Sequence, residues 1–201
     1  VSNSVVSLND RVMRNDEVVE TVQKALSSPG GAGQFAEIGL ENSLKSFGMK
    51  SGRDFLTQLS LEGEDGSRVR PDAVVFLPYD SVLVIDCKAS KFLFELAAAD
   101  RDEEAEAVGE KLRRTMREHL RSLAGREYRN AILADYRRAG KSNEIRRVLN
   151  VMYLPNEGAV EKVTDIDPGF TSGAAKRGIT VVGPTGLLAI IAFARVEIDL
   201  G

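Results

Sequence analysis

Between Arg70 and Lys88 two apolar runs flank a short turn, Pro78-Tyr-Asp-Ser81, and each run carries charge where a buried strand has no place for it. Asp72 interrupts the first run, and Asp86 and Lys88 end the second. An unpaired charge inside a sheet is costly, so two acids and a lysine placed this way point either to a site or to a structural ion pair. Residues two apart on a strand share a face, which sends Asp86 and Lys88 one way and the thiol of Cys87 the other, as a small core residue. Whether Asp72 joins them depends on strand register. One register sets it opposite Asp86; the next sets it opposite Cys87, where only a bulge restores the site.

The rest of the composition bounds what this site serves. The 201 residues are 43% hydrophobic and 28% charged, an ordinary profile for one domain with a terminal extension. A net charge of −3 excludes a general polycation, so contact with nucleic acid has to come from local patches. The single cysteine excludes an internal disulfide framework and fits a reducing, cytoplasmic setting. No signal peptide is evident, and the longest apolar stretch, Leu187 to Ala194, is too short to span a bilayer, so no membrane contact is expected of this segment. A start on Val1 fits a piece of a longer protein.

Taken in order, residues 1–28 read as an N-terminal helix. Val5, Leu8, Val12, Asn15, Val19, Val22 and Leu26 follow alternating steps of three and four, either a heptad seam at the end of a coiled coil or one amphipathic helix packed on its own domain. The Ser-Ser-Pro-Gly-Gly-Ala-Gly run ending at Gly33 is a joint. A second helix over 34–47 carries Ala36, Leu40, Leu44 and Phe47 on its apolar face, with Glu37 at the edge of that face and Glu41 further round. Residues 53–61 predict a strand with Phe55, Thr57, Leu59 and Leu61 on one face, followed by strands over 69–77 and 82–88.

An acidic start at 100–106 opens a long helix reaching Tyr128, with Val108, Leu112, Met116, His119 and Leu123 on one stripe. His119, the only histidine, reads as a packing residue rather than a metal ligand. Lys111, Arg113, Arg114, Arg117 and Arg121 lie off the stripe, as a solvated face or a phosphate track beside the site. Residues 147–154 read as a strand buried on both faces. Helix over 159–175 with a break at Asp167-Pro-Gly169, strand over 178–183 and a helix opening at Pro184-Thr185 complete an α/β architecture with one mixed sheet flanked by helices. Neither a Walker loop nor a GxGxxG motif is present.

The order of elements, with Glu37, Pro71-Asp72 and Asp86-Cys-Lys88, resembles the PD-(D/E)xK nuclease superfamily and its restriction-endonuclease-like core. More specific motifs resemble the RmuC family of DNA recombination proteins: Gly33-Gln-Phe-Ala-Glu37, Arg70-Pro-Asp72, Val84-Ile-Asp-Cys-Lys-Ala-Ser90, His119-Leu-Arg-Ser-Leu-Ala124 with Tyr128, Val151-Met-Tyr-Leu-Pro-Asn-Glu-Gly-Ala159 and Gly183-Pro-Thr-Gly-Leu187. They run from Gly33 to the C-terminus, implying an RmuC-type nuclease-like domain over 33–201. Ala36 stands where that family usually has glycine, Cys87 where serine is frequent, and Arg126 where lysine is frequent.

The resemblance implies DNA as partner, a role limiting rearrangement at repeats, and, in the full-length protein, a membrane anchor and a coiled coil ahead of the domain. That coil favours the heptad reading, with homo-oligomers formed through it. It also implies hydrolysis of phosphodiesters with Mg²⁺ or Mn²⁺. Asp72, Asp86 and the Cys87 backbone carbonyl are then ligands, Glu37 assists a ligand or holds a second metal, and Lys88 orients the attacking water. The competing expectation is a catalytically inactive DNA-binding or scaffold module on the same fold. An interaction domain without nucleic acid, which the negative net charge favours, is the third.

Overall fold

The computed structural model describes residues 30–63, 66, 68–78, 80–97, 102–126, 128–140, 145 and 147–196; the helix expected over 1–28 lies outside them. Helix α1 (Gly31–Ser46) is followed by β1 (Phe55–Thr57), β2 (Leu61–Glu62), β3 (Arg68–Val69), β4 (Ala73–Leu77) and β5 (Ser81–Cys87). Helices α2 (Lys91–Ala97), α3 (Asp102–Ala124) and α4 (Tyr128–Arg138) come next. The chain ends through β6 (Arg147–Tyr153), α5 (Glu157–Ile166), α6 (Phe170–Ala175), β7 (Ile179–Val182) and α7 (Pro184–Val196).

Five strands form one mixed sheet in the order β1-β4-β5-β6-β7, antiparallel from β1 to β5 and parallel from β5 to β7. Side-chain alternation along β4 and β5 feeds two cores. Ala73, Val75, Leu83 and Ile85 pack with Ala36, Leu40 and Leu44 of α1 and with Leu187 and Ile191 of α7. Val74, Val82 and Val84 pack on the other face with Leu112 and Met116 of α3, Ile132 of α4, Val163 of α5 and Phe170 of α6. The sheet is therefore the middle of three layers, which is why its central strands are almost wholly apolar and why a charge in them is conspicuous.

The β4–β5 register decides the site. Ala73 pairs with Ile85 and Leu77 with Ser81, so the next position out sets Asp72 opposite Asp86, with no bulge required. Both expected alternatives were open in the sequence, because two strands buried on both faces carry no polar alternation to fix their register.

Several elements differ from expectation. The strand expected over 53–61 stops at Thr57, and Gln58 takes a left-handed backbone (φ 54°). Thr57 is exposed, while Phe55 enters the core under α1 and Leu61 the opposite one, so the four alternating residues do not share a face. The strand expected over 69–77 breaks at 70–72, where β3 leaves the sheet to pair with β2 as a separate ribbon. The long helix ends at Ala124, and Tyr128 opens α4 instead of closing α3; α2 was not anticipated. The stripe of α3 is completed by Leu120, and His119 sits half-buried at its margin rather than at its centre. Finally, β6 is buried on both faces only over its last three residues; Arg147 and Leu149 are exposed, since β7 pairs only from Asn150 onward. Among the described residues no helix is long and apolar enough to cross a membrane.

Candidate metal centre

The strand ends and the N-terminal half of α1 bring the predicted residues to one cleft of about 810 Å³. Glu37 projects from α1, Asp72 precedes β4, Asp86 and Cys87 close β5, and Lys88 follows; all five line it. Asp86 is almost fully buried. Its Oδ1 accepts from Arg126 Nη1 (2.6 Å) and from the Tyr128 hydroxyl (2.9 Å), and Arg126 Nη1 also donates to that hydroxyl (2.6 Å). Its Oδ2 accepts no hydrogen bond, and the Lys88 ammonium stands against it as an ion pair. Lys88 Nζ also donates to the Cys87 carbonyl at 3.3 Å.

Asp72 Oδ2 accepts from the Cys87 backbone N–H at 2.6 Å, so the acid on β4's approach is stitched directly to β5. Burial pushes the Asp72 carboxyl up to about 6; the Cys87 N–H works against the rise, and the negative charges of Asp86 and Glu37 add to it. Burial likewise pushes the Cys87 thiol up, so this cysteine is a protonated core residue and not a nucleophile. His119 and Thr115 of α3 line the opposite wall of the cleft. Burial, followed by the nearby Lys88, holds the imidazole below its ordinary value and hence neutral at pH 7.

Three contributors were missed in the sequence. Gln58 Nε2 donates to Glu37 Oε2 (2.7 Å) and lies 3.4 Å from Asp72 Oδ1, joining two acids that are otherwise on separate elements. Its backbone N–H donates to the Asp72 carbonyl (3.0 Å) and its carbonyl accepts from Arg70 Nε (3.1 Å). A glutamine at a strand end gives no sequence signal for this. The Arg126–Tyr128 pair, quoted above only as part of a motif, fixes Asp86 from a helix break some 40 residues away in sequence.

The basic residues of α3 do not form one track beside the cleft. Arg113 donates to the Ile166 carbonyl (2.7 Å) and pairs with Glu110, and Arg117 binds Asp167 with both nitrogens (2.6 and 2.9 Å). Both are turned towards α5 and α6. Lys111, Arg114 and Arg121 are exposed, and Arg121 lies on the same flank as Arg117.

As a cation site, the cleft offers two carboxylates in register, a backbone carbonyl and a third acid reached through Gln58. Among the described residues, no three His, Cys, Asp or Glu side chains are gathered into a cage. Two carboxylates with a backbone carbonyl are oxygen donors of the kind Mg²⁺ takes while keeping several waters. The two carboxylates set opposite each other, with the charges of Asp86 and Glu37 adding to the rise at Asp72, are the observation that fits a cation.

Comparison with known proteins gives a consistent result. The model of the RmuC family matches residues 1–198. The DNA recombination protein RmuC homolog of Rickettsia bellii is 42% identical over 194 residues, covering 96% of this chain and 43% of that protein. The Rickettsia felis homolog is 40% identical with the same coverage, and the Pseudomonas aeruginosa homolog is 29% identical over 95% of this chain and 40% of its own length. The chain thus spans less than half the length of these curated relatives. No solved structure matches.

Proposed function

The chain belongs to the RmuC family, and from that premise we propose that its cleft is a divalent-metal-dependent centre hydrolysing DNA phosphodiesters. The relatives are named DNA recombination proteins, which supports DNA as the polymer and recombination as the setting; a part in repair and in limiting rearrangement at repeats belongs to the same proposal. The observation that carries the reading is the convergence of Asp72, Asp86, Glu37 and Lys88 on one cleft, with Asp72 set opposite Asp86 by the β4–β5 register. The same set of elements, a helix, an antiparallel three-strand meander and a crossover helix, supports a restriction-endonuclease-like core.

In this reading Asp72, Asp86 and the Cys87 carbonyl hold Mg²⁺ or Mn²⁺, with Glu37 assisting. The bound ion would supply Lewis acidity towards a phosphoryl oxygen. Each residue's task follows from its contacts. Arg126 and Tyr128 take both lone-pair directions of Asp86 Oδ1 and so aim Oδ2 into the cleft. The Cys87 N–H holds Asp72 in the plane of the sheet edge. Lys88, whose ammonium reaches Asp86 Oδ2 and the Cys87 carbonyl, holds an attacking water by its remaining N–H donors and balances charge developing on the phosphate.

The competing reading is a DNA-binding or scaffold module that does not cleave. One observation favours it: the ion pairs of Asp86 with Lys88 and Arg126 also describe a closed structural network. Cleavage of a labelled oligonucleotide in Mg²⁺ or Mn²⁺ decides between them. Asp72→Asn and Lys88→Ala are each expected to lower the rate by roughly 10² or more while DNA binding in EDTA persists. Wild-type chain that binds DNA and never cleaves it supports the module instead. A cytoplasmic location and self-association through residues 1–28 go with either reading.

A further inference from the structure

On the flank of α3 turned away from the acidic cleft, three arginines meet a single carboxylate. Arg117 and Arg121, one helical turn apart, and Arg177, just beyond α6, line a second cleft of about 280 Å³ with Asp167. Asp167 is buried and takes Arg117 as a bidentate fork, which holds that guanidinium in a fixed plane. Arg177 spends one nitrogen on the Gly173 carbonyl (2.7 Å). Arg121 is exposed and, among the described residues, has no ion-pair or hydrogen-bond partner. Gly169 and Gly173 form part of the wall.

Three cations and one anion leave a surplus of two positive charges around one cleft, in a chain whose net charge is −3. Like charges crowded this way repel unless an anion is shared between them. Planar forks with free N–H donors match the oxygens of a phosphate better than a solvated lysine face would. We propose that this cleft binds a backbone phosphate of the nucleic acid, at a site separate from the acidic cleft and on the other side of α3. The strand then crosses the outer face of α3, where Lys111 and Arg114 are exposed between the two clefts, instead of following the helix axis. The inference rests on the reading of this chain as a DNA-binding protein.

The test is equilibrium binding of a fluorescent oligonucleotide to the whole chain in EDTA, with salt raised from 50 to 200 mM. Arg121→Glu/Arg177→Glu is compared with the wild type and with a Lys50→Glu control, which reverses a charge on the exposed loop after α1. The double variant is expected to bind at least tenfold more weakly at 100 mM salt. Its dependence of log affinity on log salt is expected to flatten by about one to two, as for one or two lost phosphate contacts. The milder Arg121→Gln should show part of both effects, which keeps the test valid if the double reversal disturbs folding. Affinity and slope equal to the control in both variants overturn the phosphate site while leaving DNA binding intact. A wild type that does not bind overturns the DNA reading and this site with it.

Discussion

Asp86 is intelligible only as part of a net: two donors fix one of its oxygens, and the Lys88 ammonium pairs with the other. Gln58 plays the same part for the other two acids, and does so at a backbone angle that a glutamine adopts at a cost of about 1 to 2 kcal/mol. A residue kept in that conformation for its side chain yields opposite signs when the side chain is removed. Gln58→Gly relieves the backbone and should leave stability within about 1 kcal/mol of wild type. It also removes the donor shared by Glu37 and Asp72, so Mn²⁺ affinity measured by calorimetry should fall about tenfold or more. Equal Mn²⁺ affinity would reduce Gln58 to a turn residue. At this scale the sequence shows the charged residues and not what holds them. Asp72, Asp86 and Lys88 stand out because apolar strands surround them, whereas Gln58, Arg126 and Tyr128 sit at ends and breaks of elements, where polar residues are ordinary.

Elements were legible where one period ran uninterrupted, as in β4, β5 and α1, and illegible where a single residue changes direction. The left-handed Gln58 divides an apparent strand between two cores, and the turn at 125–126 divides an apparent helix, because such turns are set by tertiary contacts. The β7–α7 junction shows how tight these contacts are. Glu157 Oε1 accepts from Thr185 N–H (2.7 Å), capping α7, and a Cβ at Gly183 would stand 2.7 Å from that oxygen. Gly183→Ala should therefore expel Glu157 from the cap and cost about 1 kcal/mol, or roughly 2 to 4 °C in Tm. In a Glu157→Ala background the same substitution should cost almost nothing, and full additivity of the two would refute the coupling. The α5–α6 corner carries a pH signature instead. The hydrogen-bonded Arg117 holds the Asp167 carboxyl below its ordinary 3.8. The folded value lies under the unfolded one, so the pair stabilises fully above about pH 4, and its contribution disappears as pH falls through the folded value. Urea denaturation should find Asp167→Asn less stable than wild type by a constant margin at pH 7 and pH 5. That margin should shrink below pH 4, and one that persists undiminished at pH 3 would place the stabilisation elsewhere.

Across the whole molecule, a net-negative chain sets Glu37, Asp72 and Asp86 into one cleft on one side of α3 and Arg117, Arg121 and Arg177 around another on the other side. That separation predicts how the protein responds to a divalent ion. An ion that binds only the folded state stabilises by about 2.7 kcal/mol at a hundred times its Kd. For a chain of this size that is a rise in Tm of roughly 5 to 10 °C. The rise should saturate with Mn²⁺ and be reversed by EDTA. There is a rival location, the exposed first turn of α3, where Asp102, Glu103 and Glu104 would also attract cations, weakly and with strong dependence on salt. Asp72→Asn separates the two. It removes one carboxylate charge from the cleft and leaves α3 untouched, so most of the Mn²⁺-dependent rise should disappear, and what remains should vanish at high salt. A rise of the same size in the wild type and in Asp72→Asn would put the ion on the surface of α3, and the acidic cleft would then be a structural ion-pair network.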